Sequence, residues 1–148
     1  MNCDSCGIKA LIYRYAQHID NGDLESAAAL FANGKLVVAD ADGGAVEIVG
    51  AAAVRALYQS YTRLYEDDGT PHTLHMTTNV VVSVAEGGTS ASASSYAVVF
   101  QALQDFPLQP IIGVRYYDQF IKLSSEWQFA ERRIETYLHG DLSRHLLR

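Results

Sequence analysis

The sequence is poor in basic residues and lacks a long apolar run, and each shortage excludes a class of function. Its 11 lysines and arginines are outnumbered by 17 aspartates and glutamates, and the formal net charge is −6. Binding to a phosphate backbone requires clustered positive charge, so this composition argues against nucleic acid as a partner. No apolar run approaches the ~20 residues that cross a bilayer, and no membrane association is expected. Since the N-terminus also lacks the basic-then-apolar plan of a secretory signal, we expect a cytoplasmic protein.

Cysteine is equally scarce, with only Cys3 and Cys6 in the chain. A C-x-x-C pair of the thioredoxin type follows a strand and begins a helix, and no strand precedes this pair. A structural zinc site needs four ligands, and there is no second pair. We therefore expect a frayed N-terminus with two free thiols, the alternative being a zinc ion or a disulfide shared between subunits.

Several catalytic motifs are missing as well. The chain contains no hydrolase elbow, no P-loop, no dinucleotide-binding glycine pattern and no zincin helix. No set of side chains is spaced to hold a metal ion. We expect a protein that needs neither a metal nor an organic cofactor.

What the sequence does contain is a series of helical periodicities followed by strand-like ones. Apolar residues three and four apart predict a helix that ends at Asp20, and two more helices over 24–31 and 51–65. A short hairpin is predicted over 35–49. From residue 73 the period changes to two and predicts four long strands, over 73–85, 91–103, 111–123 and 127–138, before a short C-terminal helix. This order is typical of an α+β fold with a strongly curved, mostly antiparallel sheet, in one domain spanning 1–148.

Asp20 and His75 are the first candidates for chemistry. Asp20 continues the apolar stripe of the first helix at its C-terminal end, where the helix dipole disfavours a carboxylate. A turn explains this placement equally well. His75 lies inside a predicted strand, on a face that it shares with Thr77 and Asn79. That face is either the polar wall of a cavity or the side of the sheet that faces water.

Other strand positions supply candidates for the wall of a pocket. The face of the His75 strand that carries Leu74 and Met76 is expected to pack on the core. Tyrosine lines pockets well, because it offers apolar area with a polar tip, and the chain has nine. An Asp–His pair without a serine or cysteine nucleophile favours proton transfer over covalent catalysis. The pocket candidates are Tyr58, Asn79, Tyr96, Tyr116, Asp118, Phe120, Trp127 and Arg133.

Four segments together resemble a known family. They are YRYAQHIDNGDLESAAALFA, LHMTTNVVV, GVRYYDQF and WQFAERRI, and their order and spacing are similar to those of the SnoaL-like branch of the nuclear-transport-factor-2-like superfamily. The resemblance implies a cone-shaped α+β barrel with three N-terminal helices and a pocket at its open end. Relatives include scytalone dehydratase, a bile-acid dehydratase, a dehydrochlorinase, polyketide cyclases and small subunits of ring-hydroxylating dioxygenases.

The resemblance also implies roles for particular residues. In the dehydratases an aspartate that ends the first helix pairs with a histidine on the first long strand, and Asp20 and His75 occupy those positions. Tyr15 matches a tyrosine that the bile-acid enzyme uses, and Arg133 lies near its arginine. Ala102 stands where scytalone dehydratase has a second pocket histidine, which argues against the same substrate.

The resemblance therefore implies a cofactor-independent lyase or isomerase, of dehydratase or cyclase type, in which Asp20, His75 and Tyr15 are catalytic. Its substrate would be a small apolar or aromatic hydroxy or carbonyl compound. The alternatives are a non-catalytic module that binds a ligand or takes part in assembly, and a dioxygenase small subunit. The family further implies a homodimer or homotrimer formed through the outer face of the sheet.

Overall fold

The computed structural model describes residues 3–147 and contains three helices and six strands. The helices are α1 (Asp4–Asp20), α2 (Leu24–Ala29) and α3 (Ala51–Tyr61). The sheet has the order β2-β1-β6-β5-β4-β3 and is antiparallel except between β1 and β6. This is the α+β architecture that the sequence predicts. The strands are β1 (Lys35–Ala39), β2 (Ala45–Val49), β3 (Thr73–Val84), β4 (Ser90–Leu103), β5 (Phe106–Leu123) and β6 (Glu126–His139).

The helices pack on one face of the curved sheet and bury a core there. Helix α1 contributes residues three and four apart, among them Ile8, Ile12 and Tyr15, all at most 4% exposed. The chain then turns, and α2 begins after Asp23, whose carboxylate accepts a hydrogen bond of 3.0 Å from the Ser26 amide. Asp20 therefore lies at the last position of α1, where the helix meets β3.

Two predicted boundaries and one predicted helix were wrong. Strand β5 begins at Phe106 instead of residue 111, because the extra residue Ile111, between the pairs Val99–Ile112 and Phe100–Pro110, lets the strand continue past the proline. Helix α3 ends at Tyr61, four residues early. The chain after Gly140 forms a turn instead of a helix, and Leu146 then bridges Thr62 at the end of α3.

The sheet has several bulges that the sequence does not predict, and those at Asn79 in β3 and at Ala130 in β6 affect the site. In β3, Asn79 and Val80 together face the single residue Ser95, and Asn79 has a φ of 54°. In β6, Ala130 is the extra residue between the pairs Gln119–Glu131 and Phe120–Phe129. An extra residue reverses the alternation of a strand, so side chains beyond each bulge face opposite to a simple period-two count.

The prediction of two free thiols was wrong. Cys3 and Cys6 form a disulfide, with their Cα atoms 5.1 Å apart. Cys3 caps α1, and Cys6 lies one turn later on the same side of the helix. Within residues 3–147, no helix is both long enough and apolar enough to cross a membrane.

Candidate active site

Asp20 and His75 form a closely spaced acid–imidazole pair. The Nδ1 atom of His75 lies 2.6 Å from Oδ1 of Asp20, and the His75 backbone amide donates to Oδ2 at 2.8 Å. The Thr73 hydroxyl donates to Oδ1, also at 2.8 Å. Because a carboxylate only accepts hydrogen bonds, it favours the tautomer in which Nδ1 carries the proton. Nε2 of His75 is then left with a free lone pair.

This imidazole lines a cavity of about 210 Å³ between the helices and the inner face of the sheet. The side chain of His75 is 8% exposed, and that of Asp20, which lies behind it, is 15% exposed. Most of the wall is apolar, and none of the described residues that line it is an aspartate, glutamate, lysine or arginine. The lining residues come from α1, from α3 and the residue after it, from five strands (β1, β3, β4, β5 and β6) and from the chain after Gly140. They are Tyr15, Leu36, Val38, Leu57, Tyr58, Tyr61, Thr62, His75, Val99, Ile112, Val114, Tyr116, Ile134, Leu142, His145 and Leu146.

Three tyrosines form one side of the cavity. The hydroxyl groups of Tyr15 and Tyr58 are 2.5 Å apart, and the rings of Tyr15 and Tyr116 meet edge to face with centroids 6.0 Å apart. Burial raises the pKa of all three hydroxyls above the ordinary value. They are therefore neutral hydrogen-bond donors at any physiological pH.

A buried ion pair lies beneath these tyrosines. Arg132 is fully buried, and its Nε and Nη2 atoms donate to the carboxylate of Asp118 at 2.8 and 2.9 Å. The guanidinium carbon lies 4.3 Å from the Tyr15 ring centroid and 3.8 Å from that of Tyr116. Stacking on a cation holds both rings and keeps their hydroxyls at the cavity wall.

The structure brings together some of the predicted pocket residues and separates others. Tyr15, Tyr58, Tyr116 and His75 all line the cavity, and Asp20 supports His75. Asp118 is buried one layer below the wall. The predictions for five other residues were wrong, since none of them reaches the cavity: Asn79, Tyr96, Phe120, Trp127 and Arg133.

Strand geometry explains two of these errors. Asn79 is the bulge residue of β3 and is exposed. Beyond the bulge in β6 the phase changes, so that Arg132 points inward while Arg133 lines a separate surface depression between β1 and β6. The same β3 bulge turns Val80 toward the core. Leu74 and Met76, predicted to pack on the core, are 58% and 48% exposed.

Packing explains the other three errors. Tyr96 is 45% exposed, because the inward positions of β4 carry small residues such as Ala97, and the large side chains point outward. Phe120 packs on Phe129, with ring centroids 4.8 Å apart, inside the core. Trp127 is buried at the other end of the sheet, where its indole donates to Asp4 at 2.9 Å.

Two residues of the site went unrecognised in the sequence. Arg132 was passed over for its neighbour because the bulge is not visible in the sequence. His145 is not among the candidates that the sequence predicts, yet it lines the cavity. The signal that could have found it is the apolar spacing of Leu142, His145 and Leu146, which share one side of the tail.

One group of side chains elsewhere could hold a metal ion. Asp67, Asp68 and His72 have ligand atoms within 4.8 Å of one another, in the loop before β3. Both carboxylates are exposed and serve the loop itself, since Asp68 caps Thr70 and Asp67 accepts from His72. The cavity wall offers two imidazoles and phenol groups but no carboxylate, so its donor set does not favour a metal ion.

Comparisons with known proteins agree with this architecture. The family model for the SnoaL-like domain matches residues 3–133. The structure is similar to that of a variant of Rv3472 from Mycobacterium tuberculosis, a protein of unknown function. The two share 26% identity with a TM-score of 0.68, over 89% of this chain and 70% of the other.

Two proteins from Novosphingobium aromaticivorans share the fold. One is an NTF2-like protein with a cystatin-like fold, at 22% identity and a TM-score of 0.70, over 95% of this chain and 86% of its own. The other is a candidate scytalone dehydratase, at 21% identity and a TM-score of 0.69, over 91% and 85%. No curated protein matches the chain. Because the family model covers most of the sequence, the chain belongs to the SnoaL-like domain family.

Proposed function

We propose that this protein is a lyase or isomerase that removes a proton from carbon with an Asp–His pair and uses no cofactor. One observation carries the proposal: the 2.6 Å contact between Asp20 and a histidine that faces a mostly apolar cavity. Here the carboxylate orients the imidazole and stabilises the imidazolium that forms when Nε2 accepts a proton. None of the described residues of the cavity wall is a serine or a cysteine, which favours proton transfer over covalent catalysis.

The proposed reaction also needs a hydrogen-bond donor to the oxygen at which negative charge develops, and the tyrosines supply it. Tyr15, Tyr58 and Tyr116 are held neutral by burial. The cation of Arg132 positions the rings of Tyr15 and Tyr116, and the Tyr58 hydroxyl is hydrogen-bonded to that of Tyr15. In a site that excludes water, such donors stabilise an enolate or a leaving oxygen more strongly than water does. The reaction classes that need this pair of features are dehydration, other β-elimination and isomerisation next to a carbonyl.

The wall of the cavity also restricts the substrate. Apart from the histidines, the tyrosines and Thr62, the described residues of the wall are leucine, isoleucine and valine, and none of them is a cation that could receive a carboxylate or a phosphate. A volume of about 210 Å³ accommodates a compound of one or two rings. We therefore propose an uncharged aromatic or alicyclic hydroxy or carbonyl compound as the substrate.

A model elimination can test the base without knowledge of the natural substrate. The compound 5-nitrobenzisoxazole is flat, uncharged and of suitable size, and removal of its single acidic C–H proton breaks the N–O bond to give a coloured phenolate. We expect the protein to accelerate this reaction and His75→Ala to lose about 10²–10⁴-fold of the rate, the usual contribution of a general base. Added imidazole should restore part of the rate in His75→Ala.

Matched variants distinguish the loss of the Asp20–His75 pair from general damage to the fold. Asp20→Asn should also lose most of the rate because the tautomer of His75 is no longer fixed, whereas Asp23→Asn retains a helix cap and should keep it. His139→Ala removes an exposed histidine outside the cavity as a control for His75. If His75→Ala and Asp20→Asn remain within a few-fold of the unchanged protein, the proton-transfer proposal is rejected and a ligand-binding role is favoured.

A further inference from the structure

The chain beyond Gly140 forms one wall of the cavity and is held in place on both sides. The amide of Leu147 donates to the Tyr61 carbonyl at 2.8 Å, and the Tyr65 hydroxyl donates to the Arg144 carbonyl at 2.5 Å. The guanidinium of Arg144 pairs with Asp105 in the turn between β4 and β5, with its shorter contact at 2.8 Å. We refer to residues 141–147 as the C-terminal segment.

Within this segment, His145 is fixed by its backbone. Its carbonyl accepts a hydrogen bond of 2.9 Å from the Arg63 amide, and its own amide donates to the Leu142 carbonyl at 3.1 Å. Leu142 and Leu146 contact the cavity on either side of it. The side chain of His145 therefore lines the same cavity as that of His75, although the two residues lie on different elements of the fold.

His145 is only partly exposed, and one of its ring nitrogens lacks the partner that a packed histidine normally has. Its Nδ1 atom is fully buried, and no described group makes a hydrogen bond with it. A buried polar atom left in this state costs free energy, and most such atoms in native proteins are satisfied. Simple packing would be served better by a leucine, as at positions 142 and 146.

The charge state of His145 narrows what it can do. Burial, together with the neighbouring charge of His75, lowers its pKa to about 4, although Asp20 acts in the opposite direction. The ring is neutral at neutral pH, and it cannot serve there as a cationic acid. A neutral imidazole nevertheless always carries one N–H group and one free lone pair.

We propose that His145 contacts the substrate and donates an N–H hydrogen bond to the oxygen at which charge develops, opposite His75. This inference rests on the proposed function and adds a catalytic residue to it. In the elimination, Nε2 of His75 takes the proton from carbon, the C–H electron pair forms the new π bond, and the bond to the leaving oxygen breaks. His145 stabilises the resulting oxyanion without transferring its own proton, a task for which a neutral imidazole is suited.

The test uses a series of benzisoxazoles whose leaving phenols differ in acidity: the 5-nitro, 5-chloro and unsubstituted compounds. If His145 donates to the leaving oxygen, the rate of His145→Ala should fall about 10-fold for the 5-nitro compound and further for the poorer leaving groups. Loss of a hydrogen-bond donor to the leaving oxygen slows the reaction most where the negative charge on that oxygen is least delocalised. His145→Gln keeps an N–H donor and should recover part of the loss. A steeper dependence on leaving-group acidity is the expected signature.

A structural role for His145 would give another result. Damage to the cavity lowers the rate for all three compounds by the same factor and leaves the dependence on leaving-group acidity unchanged. That outcome would overturn the proposal, as would full activity in His145→Ala. His139→Ala, which removes an exposed histidine outside the cavity, is the control and should match the unchanged protein.

A binding measurement keeps this inference separate from the proposed function. The probe is 4-nitrophenol, whose absorbance reports whether the bound molecule is phenol or phenolate. If His145 donates to its oxygen, the bound probe should have a higher pKa in His145→Ala than in the unchanged protein, and a partly restored one in His145→Gln. If the benzisoxazoles do not react, the proposed function is rejected. The change in the pKa of bound 4-nitrophenol still tests whether His145 donates a hydrogen bond to a bound oxygen. An unchanged pKa of the bound probe rejects its role.

Discussion

The two charged residues beneath the cavity are costly to bury. Arg132 and Asp118 are each at most 1% exposed, and they are joined by two hydrogen bonds. Burial opposes the charged form of Arg132, but Asp118 raises its pKa, and the guanidinium stays ionised. The Nη1 atom of Arg132 has no partner among the described residues. The rings of Tyr15, Tyr116 and Phe129 also surround the guanidinium, so the pair supports the cavity wall.

Removing one member of this pair should be costly. We expect Asp118→Ala to lower the free energy of unfolding by about 3–5 kcal/mol, because it leaves Arg132 as an uncompensated buried charge. Urea denaturation monitored by fluorescence measures the change. Asp105→Ala breaks the exposed pair with Arg144 and should have little effect. Equal losses in the two variants would mean that burial of the Arg132 charge is not what the pair compensates.

At the scale of elements, the C-terminal segment should make stability depend on pH. The pKa of His145 is lowered from 6.5 to about 4 in the folded state. Between these values the unfolded chain binds a proton that the folded chain does not, so stability falls as the pH falls through this window. Above pH 6.5, His145 is unprotonated in both the folded and the unfolded chain, so it does not make stability depend on pH.

We expect the unfolding midpoint in urea to decrease from pH 7.5 to pH 5, and to decrease less in His145→Gln. The comparison concerns the slope with pH, so a constant offset in the stability of the variant does not matter. His139→Gln, which replaces an exposed histidine, should keep the slope of the unchanged protein. An identical slope in His145→Gln would show that this imidazole is not buried in solution.

The elements also show how far the sequence alone can lead. The order of helices and strands, the end of α1 at Asp20 and the strand position of His75 all follow from periodicity, which is a local property. The bulges at Asn79 and Ala130 do not, because whether a strand takes an extra residue depends on its neighbour. Arg133 was therefore chosen in place of Arg132. His145 was missed because its burial results from contacts with α3 and β4, which are distant in sequence.

For the whole molecule, the outer face of the sheet is the surface that lacks a cover. Leu74, Met76 and Tyr96 are each 45–58% exposed, and Tyr117 and Tyr137 lie on the same side. Arg115 stacks on the ring of Tyr137, with its guanidinium carbon 4.1 Å from the centroid. Contiguous apolar surface of this kind on a folded chain is typical of an interaction site.

We expect this face to join copies of the chain into a dimer or trimer, as the family resemblance implies. Met76→Lys places a charge in the patch and should shift the protein toward a monomer of about 16 kDa. Val49→Lys, on the exposed strand β2, should leave the association state unchanged. Light scattering coupled to gel filtration distinguishes the species. A monomeric unchanged protein would contradict the expectation.

The bond between the His75 amide and Asp20 has a consequence unrelated to chemistry. Strand β3 is the last strand of the sheet, and its outer side has no neighbouring strand. Free amides along such a side are places where a strand from another molecule can pair, which leads to aggregation. The carboxylate of Asp20 occupies one of them from the end of a helix. A single side chain thus orients an imidazole and occupies an amide at the open edge of the sheet.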